Sequence, residues 1–142
     1  MERIAKNLTS PSDGSPLYLG YQSTEVYVPR TAQTVYFHFV FQPPHADGCF
    51  QLLLRGAVFK GYIWGTNTHW SPNGRFLVAQ WTGPFDSQLS RTLVIIDLIT
   101  WQWVEAKGFN LMSIDDLGVH GKDIGGNRAS IFFSHQTEWN AA

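Results

Sequence analysis

Cysteine is almost missing: Cys49 is the only one in 142 residues. No intrachain disulfide can form, which excludes a small stapled secreted scaffold and points to a reducing compartment. Long hydrophobic runs are missing too. None approaches the ~20 residues of a membrane-spanning helix, and the opening MERIAKNLTSPSDGSPLYLG has no apolar core of a signal peptide. A cytoplasmic location away from membranes is expected. Charge is scarce, at 15% of residues and a net −1. Such a balance offers no general attraction to phosphate backbones or anionic lipid, which argues against a nucleic-acid partner. Helical periodicity is weak throughout.

Aromatic residues are plentiful, at 15% and with six tryptophans. Short runs rich in Val, Ile, Phe, Tyr and Trp follow one another, divided by Gly, Pro and Asn-Gly turns. In TVYFHFVF (34–41), Val35, Phe37, Phe39 and Phe41 alternate with Thr34, Tyr36, His38 and Val40. Both sets are largely apolar, so this strand is expected at the centre, covered on both sides. QPPHADG (42–48) breaks it. The chain as a whole predicts an all-β fold, an antiparallel sheet or two-sheet sandwich of about 7–9 strands. Residues 17–142 form the single domain, after a flexible lead-in over 1–16. At most one short helix is expected, over 110–117, where Leu111, Ile114 and Leu117 recur every three residues. The glycine-rich GVHGKDIGGNR (118–128) reads as a mobile loop.

HWSPNGRFLVAQW (69–81) begins with a turn of Ser71, Pro72, Asn73 and Gly74. Phe76 and Val78 then point one way, and Leu77, Ala79 and Trp81 the other. After a loop over 82–90, RTLVIIDLITWQW supplies the next strand over 92–98 and its turn. Residues 69–103 resemble one blade of a β-propeller of the Tol-type translocation proteins and prolyl oligopeptidase relatives. Those blades carry a Trp/Phe-Ser-Pro-Asp-Gly-Arg/Lys turn and a Leu-x-Val-x-Asp-Leu-x-Thr-Gly strand. Asn73 replaces the aspartate, and Trp101 stands in place of the glycine. The resemblance implies a three-stranded meander. It does not imply a propeller, because four blades of roughly 40–50 residues exceed this chain.

Reactive groups form no recognised pattern. The histidines His38, His45, His69, His120 and His135 lack the tight spacing of zinc ligands, so no metal is expected, and no motif implies a cofactor. Ser71 has no nucleophile elbow. GKDIGG (121–126) lacks the closing Lys-Ser/Thr of a phosphate loop. Asp115, Asp116, His120 and Asp123 do lie within nine residues.

The leading expectation is therefore a non-catalytic domain that binds another protein, as a bacterial immunity protein or inhibitor blocks a toxin or enzyme. Trp81, Trp101 and Trp103 would form an exposed indole surface, with Asp115, Asp116, His120 and Asp123 beside it to meet basic groups of the partner. Two alternatives remain. One is a hydrolase or lyase that gathers His69, His120, Asp115 and Asp123, with His120 hydrogen-bonded to a titratable group in a concave pocket. The other is a carbohydrate-binding module that uses the indoles. A monomer or an edge-paired homodimer is expected.

Overall fold

A computed structural model describes residues 6–42, 47–65, 67–84 and 90–142. His45, most of the 42–48 break and the middle of the 82–90 loop lie outside these residues. The fold is all-β, as expected, with more strands than expected. An eleven-stranded sheet runs in the order β1-β2-β3-β4-β6-β8-β9-β10-β14, where β14 is Asn140–Ala141, with β5 (Ala57–Val58) on β4 and β7 on β8, and β11-β12-β13 form a second sheet. The large sheet is mixed, because β1 (Lys6–Thr9) runs parallel to β2 (Thr24–Val28). Residues 6–9, placed in the lead-in by their turn-forming neighbours, are thus part of the sheet, and Leu8 packs against its core.

Strands β2, β3 (Gln33–Phe41), β4 (Cys49–Leu54), β6 (Tyr62–Trp64), β7 (His69–Trp70), β8 (Phe76–Thr82) and β9 (Thr92–Asp97) all feed one core. Val26, Val35, Phe37, Phe50, Leu52, Ile63, Trp70, Leu77 and Ile96 are fully buried there. A flat sheet cannot bring so many strands onto one cluster, so this one curls round it with the natural twist of its strands. Gln33 at the start of β3 donates from Nε2 to the Leu98 carbonyl just beyond β9, at 2.9 Å. On one face of β3, Val35 and Phe37 are buried and Phe39 packs against the core, as expected. Its second face is not covered: Tyr36 and His38 are half-buried and Val40 is exposed. β3 is central by its neighbours in the sheet, not by burial on both sides.

β8 and β9 are the strands sealed on both faces. Leu77, Ala79, Trp81, Val94 and Ile96 enter the large core. Phe76, Val78, Leu93 and Ile95 enter a second core. β10 (Gln102–Ala106) completes an antiparallel meander with them. The Ser71–Gly74 turn closes the β7–β8 hairpin. Gly74 N donates to Ser71 O at 2.8 Å, and the Ser71 hydroxyl accepts from Phe76 N at 2.9 Å. Asn73 Oδ1 accepts from Arg75 N and the Ser71 hydroxyl. At the end of β9, Trp101 adopts φ 57°, a left-handed conformation that glycine takes without steric cost. Its indole packs against the large core under the Arg55 guanidinium, 4.4 Å from the ring centre.

The second core is roofed by β11 (Phe109–Ile114), β12 (Gly118–Asp123) and β13 (Arg128–Phe132). This corrects two expectations. Residues 110–117 are not helical: β11 pairs antiparallel with β12, and among the described residues the only helical turn is a 3-10 turn, Phe133–His135. The three-residue spacing has another cause. A bulge at Met112 inserts one residue between Leu111 and Ser113, so Leu111 and Ile114, three apart, face the same core. Leu117 lies in the next turn, exposed. Residues 118–128 are likewise a strand and a hairpin, not a loop. The glycines of β12 answer to close strand approach: a Cβ on Gly121 would lie 1.9 Å from Asn110 O, and one on Gly118 would lie 2.2 Å from Ile131 O.

The Arg75–Asp97 pair closes the open end of the β8–β9 ribbon. Asp97 is buried and its carboxylate accepts from Arg75 Nε and Nη2, the latter at 2.8 Å, and from Ile99 N and Thr100 N. Burial raises the Asp97 pKa, but these hydrogen bonds outweigh it and hold the pKa below 3.8. Asp97→Asn keeps the shape and removes the charge, and is expected to lower stability by about 2–3 kcal/mol, the scale of hydrogen bonds to charged groups. Urea denaturation at neutral pH measures the loss.

Candidate functional site

The predicted indole surface is turned inward. Trp81 is buried and its Nε1 donates to the Lys60 carbonyl at 2.9 Å. Trp103 is half-buried, 5.4 Å from Trp81 and 5.5 Å from Phe59 between ring centres, with Lys60 Nζ over its face. Trp101 is half-buried under Arg55. Trp64 and Trp70 are fully buried and donate to Thr82 and Thr68 hydroxyls. Trp139, half-buried, packs on the second core. Trp81 and Trp103 meet, while Trp101 packs on the large core separately, under Arg55. None of the six is exposed.

The acidic residues are committed to turns. Asp115 Oδ1 accepts from Leu117 N at 2.8 Å and Gly118 N at 2.9 Å, closing the β11–β12 connection. Asp116 accepts from Asn73 N at 2.7 Å, tying that connection to the Ser71–Gly74 turn. Asp123 Oδ1 accepts from Gly125 N and Asn127 N, closing the β12–β13 hairpin. These bonds position the small sheet.

His120 is where sequence and structure converge. It projects from β12 on the face away from the core, paired in register with Ser113 and Ser130. Its Nε2 lies 2.7 Å from Asp115 Oδ2 and its Nδ1 lies 2.7 Å from Ser130 Oγ. An ionised carboxylate only accepts, so Nε2 carries the proton of the neutral ring and Nδ1 accepts from the Ser130 hydroxyl. His120 lines a concavity of about 610 Å³ with Met112, Ser113, Lys122, Arg128 and Ser130. His69 does not join it. That ring lines a different cleft of about 420 Å³, beside Gln80, Arg91 and Asn110. Burial lowers its pKa, and its Nδ1 is enclosed without a partner. The four-residue constellation His69, His120, Asp115 and Asp123 is therefore not assembled. Among the described residues, no group of three His, Cys, Asp or Glu side chains is arranged to hold a metal.

The rest of this outer face escaped the sequence reading. It carries Asn110, Met112 and Ser113 on β11, His120 and Lys122 on β12, and Arg128, Ser130 and Phe132 on β13. Met112 is 69% exposed and Phe132 37%, while Leu117 (70%) and Ile124 (90%) stand out from the flanking turns. The signal was present: Arg128, Ser130 and Phe132 alternate, and so do His120 and Lys122. Reading the glycines of β12 as a loop hid the pairing that sets them side by side. No protein-family model matches the chain, and comparisons with curated proteins and with solved structures returned no match either.

Asp115 makes the local turn sensitive to acid. Burial pushes its pKa up, but the bonds from His120, Leu117 and Gly118 prevail and hold it below 3.8. A depressed folded-state pKa means the stabilisation is complete above the unfolded value and disappears as pH falls through the folded value. Asp115→Asn is therefore expected to be less stable than the parent at pH 7 and to converge with it below pH ~3. Urea midpoints measured across that range give the comparison.

Proposed function

We propose that the chain binds another protein through the outer face of the β11–β13 sheet. Its most concrete form is a cytoplasmic immunity protein or inhibitor that covers a functional surface of a toxin or enzyme. The observation that carries this reading is the uncovered face itself. One side of the sheet seals the second core with Phe109, Leu111, Val119 and Ile131, while the other leaves Met112 and Phe132 in solvent among polar groups. Exposed apolar side chains rimmed by polar ones are the usual make-up of a contact surface. The two protruding turns, with Leu117 and Ile124, extend it. Cys49 fits a non-catalytic role: it is buried, and burial pushes its thiol up to about 11, so it is not an available nucleophile.

The Asp115–His120–Ser130 chain favours a second reading, an acyl hydrolase. The carboxylate is fixed by two backbone amides, it orients the ring, and the ring faces a hydroxyl. That is the order of roles in a serine nucleophile site. Against it, Ser130 sits exposed on an open strand face.

Two measurements separate the readings. Tagged protein is used to capture partners from the source organism, beside a Met112→Asp/Phe132→Asp variant. The binding reading expects a protein enriched by the parent and lost by at least tenfold with the variant. Equal enrichment by both would defeat it. A fluorophosphonate probe followed by mass spectrometry addresses the other reading. An adduct on Ser130 that His120→Ala abolishes would put the hydrolase first; an unmodified Ser130 is the result expected of a binding domain.

A further inference from the structure

We propose that the partner segment seated on this face is acidic, its carboxylates lodged between Lys122 and Arg128. The inference rests on the protein-binding reading and names the chemistry of what is bound. Lys122 and Arg128 are directly opposite each other in the β12–β13 register, and both are exposed. Like charges facing across a strand pair repel. No carboxylate lies within ion-pair distance of either among the described residues. The three nearest in sequence are already bonded: Asp123 within its hairpin, Asp115 to His120 and backbone amides, and Asp116 to Asn73. Two unpaired cations thus face each other across this concavity, in a chain whose net charge is −1.

The neighbouring groups agree. Ser113 and Ser130 offer hydroxyls beside the two cations, and Met112 and Phe132 flank them with apolar contact. The footprint suits a segment better than a flat surface. Two strand spacings of roughly 4.8 Å and five residues at about 3.4 Å give about 10 by 17 Å, the size of one extended loop or strand. An acidic loop with an apolar residue on either side matches both the charge and the dimensions.

The test uses a fluorescein-labelled peptide of alternating glutamate and leucine, with a lysine–leucine counterpart and a single-stranded oligothymidine as controls. Binding is followed by fluorescence anisotropy at low salt. The glutamate peptide is expected to bind best and to weaken at least tenfold in Lys122→Glu/Arg128→Glu, while Arg30→Glu, in the exposed turn between β2 and β3, leaves it within twofold. A second measurement stands apart from folding defects. Lys122→Glu alone converts a repulsive cross-strand pair into an attractive one, so it is expected to raise Tm while lowering peptide affinity. Undiminished binding by the double variant, tighter binding of the oligothymidine, or no binding of the glutamate peptide overturns the inference. If the capture experiment still depends on Met112 and Phe132 in that event, the acidic partner is wrong and the docking face stands. If neither responds, both fall.

Discussion

The Arg75–Asp97 ion pair pins a ribbon that hydrophobicity alone leaves free to slide. In most strands one face is apolar and the other polar, so a one-residue slip exposes the core set and is heavily penalised. β8 and β9 lack that safeguard. Phe76, Leu77, Val78 and Ala79 face Asp97, Ile96, Ile95 and Val94, and both sides of the pair are apolar. A slip would exchange one buried set for another of similar polarity. What resists it is geometry at the ribbon's end. Asp97 binds Arg75 through two nitrogens and two backbone amides beyond the strand, and Leu98 N donates to Arg75 O at 2.7 Å. The Ser71–Gly74 turn fixes the same end of β8, where the Ser71 hydroxyl accepts from Phe76 N. With the register held, each alternate residue reaches its proper core.

That arrangement decides where the surface lies. The large sheet curls round its own core, so its concave side needs no second layer. The back of the β8–β10 meander does need one, and the three strands β11–β13 supply it. A sheet that roofs another has one face to spend on packing and one to spare. The spare face here is held rigidly: Asp116 ties it to the Ser71–Gly74 turn, and Asp115 and Asp123 fix its two connections. The acidic residues that the sequence offered as partner contacts act one step removed, by holding the strands that present Met112, Lys122, Arg128 and Phe132.

Much of the fold was legible. Period-two alternation placed the two faces of β8 correctly, and the Ser-Pro-Asn-Gly turn was visible as a hairpin closure. What was not legible depended on pairing. A bulge at Met112 shifts β11 by one residue, so Leu111 and Ile114 share a face at a spacing that imitates a helix. Glycine in a run of polar residues signals a loop, yet Gly118 and Gly121 are there because neighbouring backbones leave no room for a side chain. β1 was missed because its partner lies well downstream and runs parallel, so no local turn announces it. Of the three indoles expected on one surface, Trp81 and Trp103 meet against Phe59, and Trp101 packs separately. Composition cannot tell whether an indole faces out, whereas the curl of the sheet settles it by bringing Trp81 and Trp103 onto Phe59.

The contrast between the two sheets argues that the spare face is kept for a purpose. A purely structural roof would do best with opposite charges across its strands and polar groups in solvent, since cross-strand ion pairs favour the sheet and repulsive ones oppose it. Several cations elsewhere follow that rule. Arg75 is matched by Asp97, and Arg91 by Asp47 and Gln80. Arg55 and Lys60 lie over indole rings. On the β11–β13 face the rule is broken twice within a few ångströms, by two cations in register and by a methionine and a phenylalanine left in water. Local rules fail most often where a protein acts. The cost is small enough for a fold with two sealed cores to carry, and it falls on the outer face of the sheet that roofs the second core.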